Sequence, residues 1–301
     1  MLKTALLRTL TLDPLQRPRG QPHLSAASGL VCAHGRVYVI SDDEHHLVTF
    51  HDRSAPGVMH RLFSGELPAG KKARKRLKPD LETLLCLPPF GGSPNAALIA
   101  LGSGSRANRG TGVVVSLSAG GEPSDEVRSF DLEPIYAPLR EGLGEINIEG
   151  AMLVGDEFVL LNRGVAGRTD NATARYPVRA LIDAIEGRAP AVRPAAIHRY
   201  TLGYIDAVPL AFTDAAALPD GGWVFTAVAE DTRDSYADGH CNGSVVGVVD
   251  AVGTLVATHR LDRRVKLEGI AVRIEGAGMG LCMVTDADDP AQASQLLLAR
   301  L

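Results

Sequence analysis

Three glutamates stand in near-identical company: Glu82 in "PDLETLLC", Glu149 in "INIEGAML" and Glu268 in "VKLEGIAV" each sit where an apolar run begins. Two further stretches put a hydroxyl at the matching place, Ser28 in "ASGLVCAHG" and Thr213 in "FTDAAALPDG". Two carboxylates about 5 Å apart repel by roughly 3 kcal/mol at an effective dielectric of about 20. Glutamates gathered at one place must therefore bind a cation, take up protons or lean on backbone N–H groups. A ring of carboxylate and hydroxyl oxygens suits Ca²⁺, which takes about 6–8 oxygens flexibly. Mg²⁺, which demands a more regular cage, is the alternative. No zinc ligand spacing is present, and the His residues form no ligand pattern.

The elements that position these residues repeat five times. Arg8, Arg61, Arg128, Arg199 and Arg260 each lie in a strand-like stretch upstream of one of the five oxygen-bearing residues. Downstream of each comes a short, strongly apolar run: "RVYVIS", "ALIALG", "EFVLLN", "WVFTAV" and "GLCMVT". β-Branched and aromatic residues bounded by Gly, Asp and Asn favour strands. A polar loop and another strand follow, "LVTFHD", "GVVVSLS", "YPVRALI", "SVVGVVD" and "SQLLLARL", the third of which also reads as a helical turn. Four short strands per unit, five times over, predict a single all-β domain across residues 1–301. This is a five-bladed β-propeller of four-stranded blades. The last unit is one strand short, and Leu2–Leu12 supplies it, closing the ring and removing exposed sheet edges. The five arginines then fall on outer strands as solvated charge.

Residues at the starts of the innermost strands meet at one mouth of the channel, so Ser28, Glu82, Glu149, Thr213 and Glu268 are expected to form a ring. The competing expectation is that each Glu holds backbone amides of the next blade. The most polar loops, 41–46, 102–112, 162–173, 229–243 and 285–293, open on the same face. Loops on a rigid scaffold are where binding residues sit. Arg106, Arg109, Arg163 and Arg168 are the expected anion ligands, because guanidinium forks match phosphate and carboxylate groups. Asp42, Asp43 and Glu230 are the expected bases by loop position.

With 301 residues, 45% hydrophobic and 22% charged, the chain has an ordinary globular composition. A net charge of −4 gives no global bias toward nucleic acid or membrane. The basic run "KKARKRLK", Lys71–Lys78, reads as a solvated loop or as a rim that draws in a small anionic molecule. No apolar stretch has the length of a signal peptide or a membrane span. Cys32, Cys86, Cys241 and Cys282 lack CxxC spacing and read as buried free thiols in a reducing cytoplasm.

The units resemble those of the calcium-activated nucleotidase (apyrase) family. The resemblance implies a five-bladed propeller with one Ca²⁺ in its channel, ringed by Ser28, Glu82, Glu149, Thr213 (Ser in that family) and Glu268. "KLEGIAV" resembles the family's last blade, "SDD" at Ser41–Asp43 its first-blade loop, and Arg163 an arginine beginning the third. Gly29, where that family has an acidic residue, and the shortened "GVAGRTDNATAR" depart from it on the substrate side. "LGSGSR" and "TDADDP" are similar to stretches of uncharacterised bacterial propellers that in turn resemble phytase-like esterase propellers.

Three functions follow as expectations. The first is a metal-dependent hydrolase of a phosphate ester or anhydride, with the metal neutralising phosphate oxygens and orienting water. The second is a non-catalytic ligand- or protein-binding propeller with a structural central metal. The third, a glycosidase, is disfavoured because Trp223 is the only tryptophan and aromatics are 5% of the chain, which leaves few platforms for sugar rings.

Overall fold

The computed structural model describes residues 1–16, 20–51, 54–165, 170–188, 190–231, 239–275 and 278–301. Five antiparallel sheets stand around a channel as a five-bladed β-propeller. The first strand, β1 (Thr4–Thr9), belongs to the last blade. Blade 1 is β2 (Ala27–Ala33), β3 (Arg36–Ser41), β4 (His46–Phe50) and β5 (Val58–Arg61). After helix α1 (Lys71–Leu77), blade 2 is β6 (Leu81–Leu87), β7 (Ala96–Gly102), β8 (Thr111–Leu117) and β9 (Pro123–Asp131). Helix α2 (Glu133–Leu143) leads to blade 3. This blade is β10 (Ile148–Val154), β11 (Glu157–Asn162), β12 (Asn171–Pro177) and β13 (Ala196–Tyr200), with helix α3 (Val178–Ile185) between its last two strands. Blade 4 adds a two-residue strand, β14 (Tyr204–Ile205), to β15 (Val208–Ala217), β16 (Trp223–Asp231), β17 (His240–Val249) and β18 (Leu255–Arg260). Blade 5 is β19 (Lys266–Glu275), β20 (Gly278–Asp286) and β21 (Gln295–Arg300), completed by β1. Thr4 stands opposite Ala299 and Thr9 opposite Gln295, so the two ends of the chain share one sheet, as the repeat pattern requires.

The period of two along each strand explains the core. Successive side chains point to opposite faces of a sheet, and each blade is sandwiched between two others. Tyr38 and Ile40 of β3 pack toward blade 2, while Val39 between them packs toward blade 5. On β16, Trp223 and Phe225 face blade 3 and Val224 faces blade 5. One apolar cluster fills each of the five blade interfaces. Strands buried on both faces read as continuous apolar runs, which is why these strands were legible. Each fully buried aromatic or aliphatic side chain contributes roughly 1.5–3 kcal/mol.

Three expectations are corrected here. The third-blade strand predicted over "YPVRALI" is instead β12, one segment earlier. The Val178–Ile185 run is a helix whose Ala180, Leu181 and Ala184 pack onto the outside of blades 2 and 3. The basic run Lys71–Lys78 is not a solvated loop: it forms α1, with Arg74 and Lys78 buried. Arg8 is not solvated either. It is 7% exposed, lies 4.6 Å over the Phe50 ring and donates to the Ala55 carbonyl at 2.7 Å. Arg61, Arg128, Arg199 and Arg260 are exposed as expected. None of the four cysteines is in a disulfide; Cys282 is buried and the other three are half-buried. Among the described residues no helix is long and apolar enough to cross a membrane.

Candidate functional site at the channel mouth

Every innermost strand carries a β-bulge at one equivalent position. Pairing shifts between Ala27 and Gly29, Leu81 and Thr83, Ile148 and Gly150, Phe212 and Asp214, and Leu267 and Gly269. The skipped residues are Ser28, Glu82, Glu149, Thr213 and Glu268. A bulge leaves one residue outside the ladder and re-aims its side chain. The glycine after three of them has a separate cause, the close approach of the next blade. A Cβ on Gly29 would lie 2.8 Å from the backbone nitrogen of Leu84, and one on Gly150 would lie 2.8 Å from the Cα of Asp214.

Ser28, Glu82, Glu149 and Glu268 line one cavity of about 230 Å³. Thr213 does not. Its side chain is buried and donates to the Thr226 hydroxyl at 2.8 Å, inside its own blade. Two residues before each bulge, strand alternation brings a second ring to the same cavity: Ala26, Asp80, Asn147, Ala211 and Lys266. The sequence reading missed this ring, although counting back two from each bulge residue would have found it. Asp80 enters its strand with φ of 57°, a left-handed conformation that Asp tolerates better than most residues.

The glutamates do three different things. Glu149 accepts from Asn147 Nδ2 at 2.5 Å and pairs with Arg163 at 3.2 Å. Glu268 pairs with Lys266 at 3.0 Å, and the same ammonium reaches Asp288 at 2.9 Å. Glu82 has no hydrogen bond or ion pair among the described residues. Instead it stands with Asp42 and Asp80, the three offering carboxylate oxygens within 4.8 Å of one another. Asp42 Oδ2 accepts from Lys78 while its Oδ1 is buried with no partner. Asp80 is held by Lys78 at 3.0 Å, Arg109 at 2.6 Å and the Ser103 hydroxyl at 2.6 Å.

Nine carboxyl groups and five basic side chains line the cavity, so its electrostatics favour protons or cations. Burial pushes the Glu82 carboxyl well above the usual range, and the neighbouring Asp80, Glu149 and Asp42 charges add to this. Burial likewise raises Asp286 well up, Glu268 to about 7 and Asp42 to about 6, against the lowering pull of Lys266 or Lys78. Glu230 goes the other way. Burial raises it, but Lys266, Arg163 and the Gly239 N–H together hold it below the usual range.

The remaining expected residues separate. Asp43 pairs with Arg74 at 3.1 Å and lies 3.5 Å from Lys78, beside a smaller pocket next to the main cavity. Glu230 lines the cavity, with Arg163 at 2.6 Å. Arg109 and Arg163 line it too, but both are engaged by carboxylates. Arg106 is exposed and is not part of the lining. Arg168 lies outside the described residues.

The carboxylate lock expected of the glutamates is made by Asp214, one residue after Thr213, and Ser28 makes a hydroxyl counterpart. Asp214 Oδ2 accepts from the Ile270 N–H at 2.9 Å, joining blade 4 to blade 5. Ser28 donates to the Leu81 carbonyl at 2.7 Å, joining blade 1 to blade 2.

Residues 23–301 match the model of a family described as a family of unknown function, DUF6929. The chain belongs to DUF6929. No curated protein matches this DUF6929 chain significantly by sequence. Among solved structures it is similar to an exo-β-1,3-galactanase from Phanerochaete chrysosporium, with a TM-score of 0.54, 12% identity, and 99% of this chain and 64% of that one covered. It is similar to an α-L-arabinofuranosidase from Podospora anserina, with a TM-score of 0.53, 12% identity, and 100% and 96% covered. It is also similar to regucalcin from Agrobacterium tumefaciens, with a TM-score of 0.47, 10% identity, and 99% and 95% covered. At these identities the likeness is one of fold.

Proposed function

We propose that this DUF6929 propeller binds a divalent cation, calcium by its donor set, on Asp42, Asp80 and Glu82 at the channel mouth. The observation that carries the reading is the donor set itself: three carboxylates converge, and one buried oxygen, Asp42 Oδ1, has no partner. A buried acceptor left unpaired is costly, and hard oxygen ligands without imidazole or thiolate fit Ca²⁺. A bound calcium would neutralise surplus carboxylate charge and polarise a phosphoryl oxygen. The reading extends to hydrolysis of a phosphate ester or anhydride. The resemblance to calcium-activated nucleotidases supports this extension, as does α1, which brings Lys75 to the rim of the cavity. Glu230, held ionised beside Arg163, would then accept a proton from water.

One observation favours a second reading, a non-catalytic propeller with a structural ion. Arg109 and Arg163, two of the four expected anion ligands, are both committed to carboxylates.

Thermal unfolding with calcium, magnesium or chelator, followed by turnover of p-nitrophenyl phosphate and ATP, tests both readings. A calcium-dependent rise in Tm that Glu82→Gln removes supports the ion. Turnover that requires calcium supports the hydrolase, and a Tm rise without turnover supports the structural ion. A Tm indifferent to calcium and magnesium defeats both.

A further inference from the structure

Lys78 pairs with two of the three carboxylates, Asp42 and Asp80. Its side chain is buried, and its ammonium donates to Asp42, lies 3.0 Å from Asp80 Oδ1 and 3.5 Å from Asp43 Oδ1. Its backbone is fixed independently of that ammonium. The Lys78 N–H donates to the Arg74 carbonyl at 2.8 Å, and the Lys78 carbonyl accepts from Asn108 at 3.2 Å. The flexible four-carbon stem therefore lets the charge move while the chain stays in place. Lys75, three residues back along α1, lines the same cavity. Lysine 78 thus holds the place, between Asp42 and Asp80, that a cation on these carboxylates needs.

We propose that Lys78 is an exchangeable counter-ion. Calcium entering the Asp42, Asp80 and Glu82 cluster expels its ammonium toward Lys75, and the two lysines with the ion then form a site for a phosphate monoester. This rests on the cation reading above and deepens it, because it orders the two ligands. A divalent ion sharing Asp42 and Asp80 with an ammonium brings like charges within about 4 Å, which is strongly unfavourable unless one moves. Before calcium arrives, Lys78 is occupied by carboxylates and the cavity carries a surplus of acids, so a phosphate monoester has little to bind. After it arrives, the surplus is reduced and Lys78 is available. Anion affinity then depends on calcium, and by linkage calcium affinity depends on the anion to the same degree.

Isothermal titration of the full chain tests this at fixed pH with two probes, calcium chloride and phenyl phosphate. Expected for the wild type is calcium binding, with phenyl phosphate binding at least tenfold tighter when calcium is present. Lys78→Met is expected to bind calcium at least tenfold tighter than wild type and to lose the calcium-dependent gain in phenyl phosphate affinity. Lys75→Met is expected to weaken phenyl phosphate while leaving calcium unchanged. Should Lys78→Met fail to fold, the wild-type protein itself decides. Its buried Lys78 ammonium is expected to give a slowly exchanging signal in ¹⁵N-lysine NMR, which calcium should abolish or shift into the exposed range. Calcium binding that Lys78→Met leaves equal or weaker overturns this proposal alone, as does an ammonium signal indifferent to bound calcium. Absence of calcium binding in wild type and in Lys78→Met overturns the cation reading and this proposal with it.

Discussion

Asp214 Oδ2 accepts a hydrogen bond from the Ile270 backbone N–H at 2.9 Å, and the bond crosses from blade 4 to blade 5. Asp214 is 1% exposed. Burial raises its carboxyl well above the usual range, opposed by the N–H groups of Ile270 and Ala215. Asp214→Ala leaves the Ile270 N–H without its acceptor in a dry interface. The expected loss is on the order of 3 kcal/mol, read as a lower urea midpoint with an unchanged m-value. Asp214→Asn, which keeps one acceptor, is expected to lose less.

Gly150 faces that same residue. A Cβ there would lie 2.8 Å from the Asp214 Cα, a backbone atom that cannot swing aside. Gly150→Ala is therefore expected to destabilise by about 1–3 kcal/mol through overpacking. The control is Gly70→Ala, where no atom lies within 4 Å of the new methyl group and φ is −71°. It is expected to stay within about 0.5 kcal/mol of wild type. Equal effects at the two positions would show that the blades do not approach as described.

Glu82, Glu149 and Glu268 were legible because a bulge residue at a strand start interrupts an apolar run with a charge, and sequence shows such an interruption directly. Thr213 shared the position but not the environment: its hydroxyl finds Thr226 across its own sheet, a partner thirteen residues away that no spacing rule indicates. Asp80 and Lys266 carry no such mark, because each stands two residues before the glutamate, outside the apolar run that a charge could interrupt. Lys78 and Arg74 were misread for a different reason. A basic run looks solvated unless one knows that Asp42 and Asp43 of the neighbouring blade reach it. Helix α3 reads as a strand because its apolar residues follow directly on those of β12. The fold lay in the repeats, whereas the pairing of charges across blades is a tertiary fact.

Thr213 offers a negative control for the ion. Thr213→Val removes one hydroxyl from a buried pair, and the expected loss of stability is about 1 kcal/mol. Calcium affinity, measured by titration, is expected to stay within about twofold of wild type, since the side chain is not in the cavity lining. A large loss of calcium affinity would return Thr213 to the ring and contradict its bond to Thr226.

His46 makes stability depend on pH. Burial, with Arg61 nearby, pushes its imidazole down from 6.5 to about 4, and its Nδ1 is buried without a partner. Between those values the unfolded chain binds a proton that the folded one does not. Stability from this site is therefore complete above about pH 6.5 and is lost as pH falls toward 4. The gap is worth at most about 3 kcal/mol, and partial exposure reduces it. His46→Gln is expected to flatten the Tm profile across that window while leaving the slope above pH 7 unchanged. An unaltered profile would show that His46 is protonated in the folded state.

Arg8 and Arg61 occupy corresponding outer strands but not corresponding environments. Arg61 is exposed and pairs with an exposed Glu66, an arrangement worth about 0–1 kcal/mol. Arg8 lies over Phe50, and its guanidinium satisfies the Ala55 carbonyl. Its strand, β1, is also the one that closes the ring against β21. Arg8→Ala removes a cation–π contact, a charge-assisted hydrogen bond and the packing of the stem together, for an expected loss of about 2–3 kcal/mol. Arg61→Ala is expected to change stability by no more than about 0.5 kcal/mol. Because the loss at Arg8 falls on the closing strand, amide exchange in β1 and β21 should accelerate more than in β3 or β7. Uniform acceleration across all five blades would instead show that the ring opens as one cooperative unit rather than from its seam.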